Sequence, residues 1–161
     1  MHADVHETHY LFQGLSPEQI TQLAPLFEPL DYLADTMLFE QGDPAEYLYA
    51  IVSGEVVVHF KPDDGTAITV ARVQPGSIVG WSAALGSRRY TSGATCTTPT
   101  HLLRVRGDDL RGLCLQYPET GVLVLDRLAT VIAERLHSTY DLVRNLLQMG
   151  LNNQESHGTG G

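Results

Sequence analysis

The sequence predicts a mainly β fold, an antiparallel sandwich or roll with flanking helices, and three observations carry that expectation. Between Glu28 and Arg106, short apolar runs alternate with turn residues at the spacing of an antiparallel sheet. One capped helix stands before this stretch. After it, the apolar period lengthens to that of helices. At 161 residues the chain is sized for one domain, with a core that needs neither disulfides nor a structural metal.

Each element follows from local chemistry. Ser16 is placed to cap a helix, with Pro17 at its first position and Gln19 closing a capping box. Ile20, Leu23, Leu26 and Phe27 give that helix its apolar face, and Pro25 and Pro29 keep it short. Strands are expected at Thr36–Phe39, Tyr47–Val52, Glu55–Phe60, Thr66–Val73 and His101–Val105. The turns between them are Gln41–Pro44, Ser53-Gly54, Pro62–Gly65 and Gln74–Gly76, with Asp64-Gly65 as a hairpin turn. Asp108 or Asp109 then caps a short helix that stops before Pro118. From Glu119 a long helix carries Leu125, Ala129, Ile132, Leu136, Thr139, Val143 and Leu146 at alternating four- and three-residue steps, a heptad seam. Leu128, Val131, Leu142 and Leu147 form a second apolar flank, so one face can meet the roll while the seam meets a second subunit.

Composition excludes several classes. Ten basic against nineteen acidic residues leave a net charge of −9, unfavourable for binding a nucleic-acid backbone or an anionic membrane. The polar, histidine-rich start lacks the apolar core of a signal peptide, and no apolar run has the length of a membrane helix. A soluble cytoplasmic protein is expected. Cys96 and Cys114 make no CxxC pair, which excludes a Cys-ligated zinc or iron–sulfur site and fits two small thiols in a reducing compartment. A metal-dependent roll enzyme needs clustered histidines. His59 and His101 have no HxH partner, so no catalytic or metal residues are assigned, although His2, His6 and His9 are spaced for adventitious metal on a helix.

The charges are also segregated. Gly65 to Gly107 holds no Asp or Glu but contains Arg72, Arg88, Arg89, Arg104 and Arg106. That segment carries +5, while the remainder, five basic against nineteen acidic residues, carries −14. An acid-free arginine segment in an acidic protein marks a candidate anion site.

Specific residues sharpen this. Phe39, Gln41, Gly42 and Asp43, then Leu48, Tyr49, Ile51, Gly54 and Val56, resemble the front half of the cyclic-nucleotide-binding domain. Pro75-Gly76-Ser77-Ile78-Val79-Gly80, followed by Arg89, resembles that family's phosphate-binding cassette. The resemblance runs from Leu11 to Leu147. It implies the cyclic-nucleotide-binding β-roll, a cupin-like jelly-roll, with an N-terminal helix and a long C-terminal dimer helix. The expected parts are a flexible polar segment 1–10, the roll with its two short helices at 11–117, the long helix at 118–150 and a disordered tail at 151–161. The long helix is most similar to the dimer helix of catabolite-activator and fumarate–nitrate-type regulators. Its stretch Glu134-Arg135-Leu136-His137-Ser138-Thr139 matches the part that reaches the purine base there.

The implied function is a regulatory module that senses a cyclic nucleotide such as cyclic AMP, or a related small anion, and signals through a homodimer helix. The implied binding residues are Gly80, Trp81, Ser82, Ala83, Arg88, Arg89, Tyr90, Thr139 and Tyr140. No cofactor beyond such a ligand is expected. Eleven residues follow Gly150, too few for a helix-turn-helix, so direct DNA binding by this chain is not expected. Arg89 matches the phosphate-pairing arginine at a spacing about one residue short, with Arg88 as the alternative.

One departure is larger. Where the family has Gly-Glu, whose carboxylate accepts from the ribose 2′-hydroxyl, this chain has Gly80-Trp81. An indole N–H only donates. The lost bond is worth about 1.5–3 kcal/mol, or about ten- to a hundredfold in affinity. Three outcomes stand open at this point: weak binding of a cyclic nucleotide, stacking of Trp81 on a different ligand, or a degenerate, ligand-free dimeric interaction module with Trp81 filling the pocket. Tyr90, where the family has a small residue, bears on the same choice.

Overall fold

The computed structural model describes residues 9–63 and 65–158, without the side chains of Ser138, Thr139, Leu142, Val143, Leu146 and residues 151–158. A 3-10 turn at Tyr10–Phe12 leads into α1 (Pro17–Leu23), extended by a second 3-10 turn at Ala24–Leu26. The predicted capping box is present: the Ser16 hydroxyl accepts from the Gln19 amide, and the Gln19 side chain accepts from the Ser16 amide. Eight strands follow: β1 (Glu28–Tyr32), β2 (Met37–Phe39), β3 (Tyr47–Ser53), β4 (Val56–Phe60), β5 (Ile68–Val73), β6 (Ile78–Val79), β7 (Gly93–Cys96) and β8 (Thr100–Arg106). The four-residue helix α2 (Trp81–Ala84) interrupts them after β6, and α3 (Gly107–Gln116) and α4 (Pro118–Gly158) close the chain.

The strands form two antiparallel four-stranded sheets, ordered β1-β8-β3-β6 and β2-β7-β4-β5. Alternation along β3 and β8 builds two cores. Tyr49, Ile51 and Leu102 face the other sheet, where they meet Val56, Val58, Val73 and Cys96. Leu48, Ala50, Leu103 and Val105 face outward, where Leu23, Phe27, Leu110, Leu113, Val124, Leu128 and Val131 of the helical layer cover them. The strands expected from the sequence are all present, within one or two residues at each end. Three more appear. β1 contains Pro29 and pairs only with β8 as an edge strand, β6 has two residues, and β7 is built from small side chains.

Some boundaries differ from expectation. α3 begins at Gly107 with Arg106 in the capping position and no side-chain cap; Asp108 and Asp109 instead occupy its first turn, where they complement the helix dipole. α4 runs past Gly150 to Gly158, because residues 151–157 contain no proline or glycine and a single internal glycine costs only about 1 kcal/mol. Of the tail at 151–161, residues 159–161 lie outside the described residues. The hairpin residue Asp64 and the histidines His2 and His6 also lie outside them. Leu147 is exposed rather than packed on the roll.

Of the polar segment 1–10, His9 and Tyr10 lie within the described residues. His9 is buried, its Nδ1 accepts from the Leu11 amide, and its Nε2 lies 3.2 Å from the Ser77 carbonyl. Cys96 and Cys114 are free thiols. Among the described residues no three His, Cys, Asp or Glu side chains cluster, and no helix is long and apolar enough to cross a membrane.

Burial holds the His9 imidazole below its ordinary value of 6.5. The folded state thus resists a proton that the unfolded chain accepts. Stability is full above that value and falls as the pH drops through and below it. Denaturant titrations at pH 7.5 and 5.5 check this: the wild type loses stability at the lower pH, and His9→Gln shows a shallower loss.

Candidate ligand-binding site

The site is built where β6 ends. Gly80 adopts a left-handed backbone with φ +80, and a Cβ there would lie 2.8 Å from the Tyr47 carbonyl. A side chain is therefore excluded on two grounds, backbone strain and contact. The chain then turns into α2, which presents Trp81 and Ser82 to a cavity of about 290 Å³. β2, β4 and β5 supply apolar wall with Phe39, Val58, Phe60 and Val70, and α4 closes the far side with Arg135 and Leu136. The volume is at the lower end of the ~300–1,000 Å³ usual for small-molecule sites.

Tyr90 fixes the near wall. Its hydroxyl donates to the Tyr47 carbonyl at 2.5 Å and accepts from the Tyr47 amide at 3.0 Å, and its ring stacks on Phe39 at 3.8 Å between centroids. Burial raises its phenol above the ordinary range. The residue therefore joins the loop before β7 to the start of β3, spanning a gap that backbone pairing does not cross.

Arg135 belongs to the helix stretch singled out in the sequence but not to the binding residues expected there, and it lines the cavity. It is only 9% exposed, donates from Nη1 to the Ile78 carbonyl at 2.7 Å, and lies with its guanidinium carbon 5.2 Å from the Trp81 ring centroid. Its Nε is buried with no partner. Desolvation lowers its pKa to about 10, so it is still charged at neutral pH. A signal was available: Val124, Leu128 and Val131 make the core-facing stripe of α4, and the next position of that stripe is a charge.

Of the predicted residues, Gly80, Trp81, Ser82 and Tyr90 line the cavity. Ala83 is buried behind it, its carbonyl accepting from Arg111. Arg88 and Arg89 are exposed and outside the lining. Arg89 donates to the Gly42 carbonyl at 2.7 Å. The cause is register: Gly42–Ala45 and Arg88–Tyr90 run antiparallel, bridged at Pro44 and Arg89, and neighbouring side chains in such a segment point to opposite sides. With Tyr90 turned inward, Arg89 faces out, which the loop shortened by about one residue makes understandable. Tyr140 is exposed away from the cavity, and the Thr139 side chain lies outside the described residues. Trp81 is half-buried in the wall, and the cavity stays open beside it.

Two facing four-stranded sheets with a cavity between a tight glycine turn and a long helix define a jelly-roll domain with a candidate ligand site. The chain matches the Cyclic nucleotide-binding domain family over residues 29–117, and it belongs to that family. It is 28% identical over 137 residues to a CRP-like cAMP-activated global transcriptional regulator of Mycobacterium tuberculosis, a match covering 85% of this chain and 59% of the relative. This chain thus spans about three fifths of the length of the curated regulators it matches. A crystal structure of a cyclic nucleotide-binding domain from Methylobacillus flagellatus superposes with a TM-score of 0.76 at 27% identity, covering 89% of this chain and 80% of that one. A cAMP-binding acyltransferase from Mycobacterium smegmatis is also similar, with a TM-score of 0.70 at 28% identity over 85% of this chain and 41% of that protein.

Tyr90→Phe leaves the buried Tyr47 amide and carbonyl without their shared partner. The expected cost is about 1–3 kcal/mol in urea denaturation, with an unchanged m-value.

Proposed function

We propose that this chain is a regulatory ligand-sensing module that takes up a cyclic nucleotide of the cyclic AMP type beside α2 and passes its occupancy to α4. The observation that supports this most is the cavity, bounded by the Gly80 turn on one side and the long helix on the other. A ligand there touches both. It acts by binding one arrangement of α4 against the roll better than another. The Trp81 indole and the apolar walls at Val58 and Val70 suit a flat base. The relatives named for cyclic AMP support the ligand class.

We read its role as binding rather than catalysis, a reading that the regulator and receptor among its relatives support. Signalling runs through a homodimer. Leu125 is 53% exposed and Leu136 57%, and Ala129 is exposed between them, while Val124, Leu128 and Val131 are spent on the roll. The acidic surface keeps this chain off DNA and membranes and suits a cytoplasmic setting.

Thermal unfolding with added cyclic AMP tests the ligand. At a hundred times Kd the expected stabilisation is about 2.7 kcal/mol, or roughly 5–10 °C in Tm for a chain of this size. No response to millimolar cyclic AMP or cyclic GMP overturns the proposal. Size-exclusion chromatography with light scattering tests the seam: the wild type runs as a dimer and Leu125→Lys as a monomer, and an unchanged oligomer refutes it.

A further inference from the structure

We infer that the anion-recognising group of this cavity is Arg135 of the long helix, and not an arginine of the loop before β7, so that the charged group of a small organic phosphate sits against α4 beside Trp81. This rests on the proposed ligand-sensing role and specifies how the ligand is held.

Four observations carry it. First, Arg135 is the only Arg, Lys, His, Asp or Glu among the described residues lining the cavity. Second, it is nine-tenths buried, and no described carboxylate forms an ion pair with it. A buried cation without a counter-ion is costly, and an anion in the cavity relieves that cost. Third, only part of its donor fork is used: Nη1 is on the Ile78 carbonyl, and Nε has no partner. A guanidinium with free donors is suited to phosphate oxygens. Fourth, the loop arginines stand outside the cavity: Arg89 donates to the Gly42 carbonyl, and both it and Arg88 are exposed outside the lining.

Trp81 completes the arrangement. A carboxylate at position 81 would stand beside the guanidinium and neutralise it. The indole offers only its π face at 5.2 Å, which holds the cation in place without cancelling its charge. The flat apolar part of the ligand then lies against Phe39, Val58 and Val70, the walls facing the charged end. Because Arg135 also grips the backbone of β6, the ligand's charge competes at the contact that joins α4 to the cassette.

The test is calorimetric titration of the full chain with cyclic AMP and, separately, with inorganic pyrophosphate, on wild type, Arg135→Gln, Arg135→Lys, Trp81→Glu and Arg89→Ala, with thermal unfolding to verify each fold. Arg135→Gln and Trp81→Glu each weaken cyclic AMP at least tenfold, Arg135→Lys weakens it less than Arg135→Gln, and Arg89→Ala changes it less than twofold. If Arg89→Ala abolishes binding while Trp81→Glu tightens it, Arg135 is not the anion group, and the sensing role stands without it. If the wild type ignores cyclic AMP but binds pyrophosphate in an Arg135-dependent way, the anion site stands and the cyclic-nucleotide proposal falls. Binding of neither probe overturns both. Should Arg135→Gln fail to fold, Trp81→Glu against Arg89→Ala decides, since the two arrangements predict opposite signs for Trp81→Glu.

Discussion

The pairing of β3 with β8 is the constraint on which the rest of the molecule depends. Both strands are interior to their sheet and are buried on both faces, so each consecutive residue must suit a different core. Tyr49 opposite Arg104 and Leu48 opposite Val105 set the register. Slipping by one residue would put Tyr49 and Arg104 under the helices and Leu48 between the sheets. Arg104 resists that slip chemically. It pairs with Glu28 of the edge strand β1 at 2.7 Å and lies 4.1 Å from the ring centroid of Tyr47 at the start of β3. Once this pair is fixed, β6 has one strand to join, and the backbone leaving it has one place to turn.

That turn is then tied down on three sides. Tyr90 bonds the Tyr47 backbone and closes the wall toward β3. Gly107 lies so close to the Ala83 carbonyl that no side chain fits, and Arg111 from the next turn of α3 donates to the same carbonyl while pairing with Asp108. Arg135 holds the Ile78 carbonyl from α4. The first two ties are to elements within the folded roll. The third is to the helix whose far face is exposed, and it is the only one of the three made by a charge that lacks a carboxylate partner among the described residues.

Much of the fold was legible in the residue pattern because it depends on local chemistry. The Ser16-Gln19 box and the roll-facing Leu128 and Val131 of α4 are short-range signals, and both are found where the sequence puts them. β1, β6 and β7 were not individually visible because none has an intrinsic strand pattern. They are extended because a neighbour's edge is available, which is tertiary information. The site divided in the same way. Gly80, Trp81 and Ser82 follow from a contiguous motif. The position of Arg89 hinged on the facing of one extended residue, and no motif carries that. Whether it faces in or out is decided by Tyr90, whose bond to Tyr47 crosses 43 residues of sequence.

The charge pattern shows why composition narrows function without locating it. The acid-free arginine segment resolves into separate contacts. Arg72 pairs with Glu55, Arg104 with Glu28, Arg89 with a carbonyl, and Arg106 lies near the Tyr47 ring. An arginine that faces solvent or an acid has its charge compensated, however many share a segment, although the Arg104 Nε is buried without a partner. The one buried arginine among the described residues is outside that segment, next to Glu134 in sequence yet without a described ion pair, because it stands on the buried stripe of α4. Its cost is set by burial, and the proposed anion site rests on that cost. Segregation of charge along a chain thus marks where acids are absent, whereas a charge interrupting an apolar helix stripe marks where one is needed.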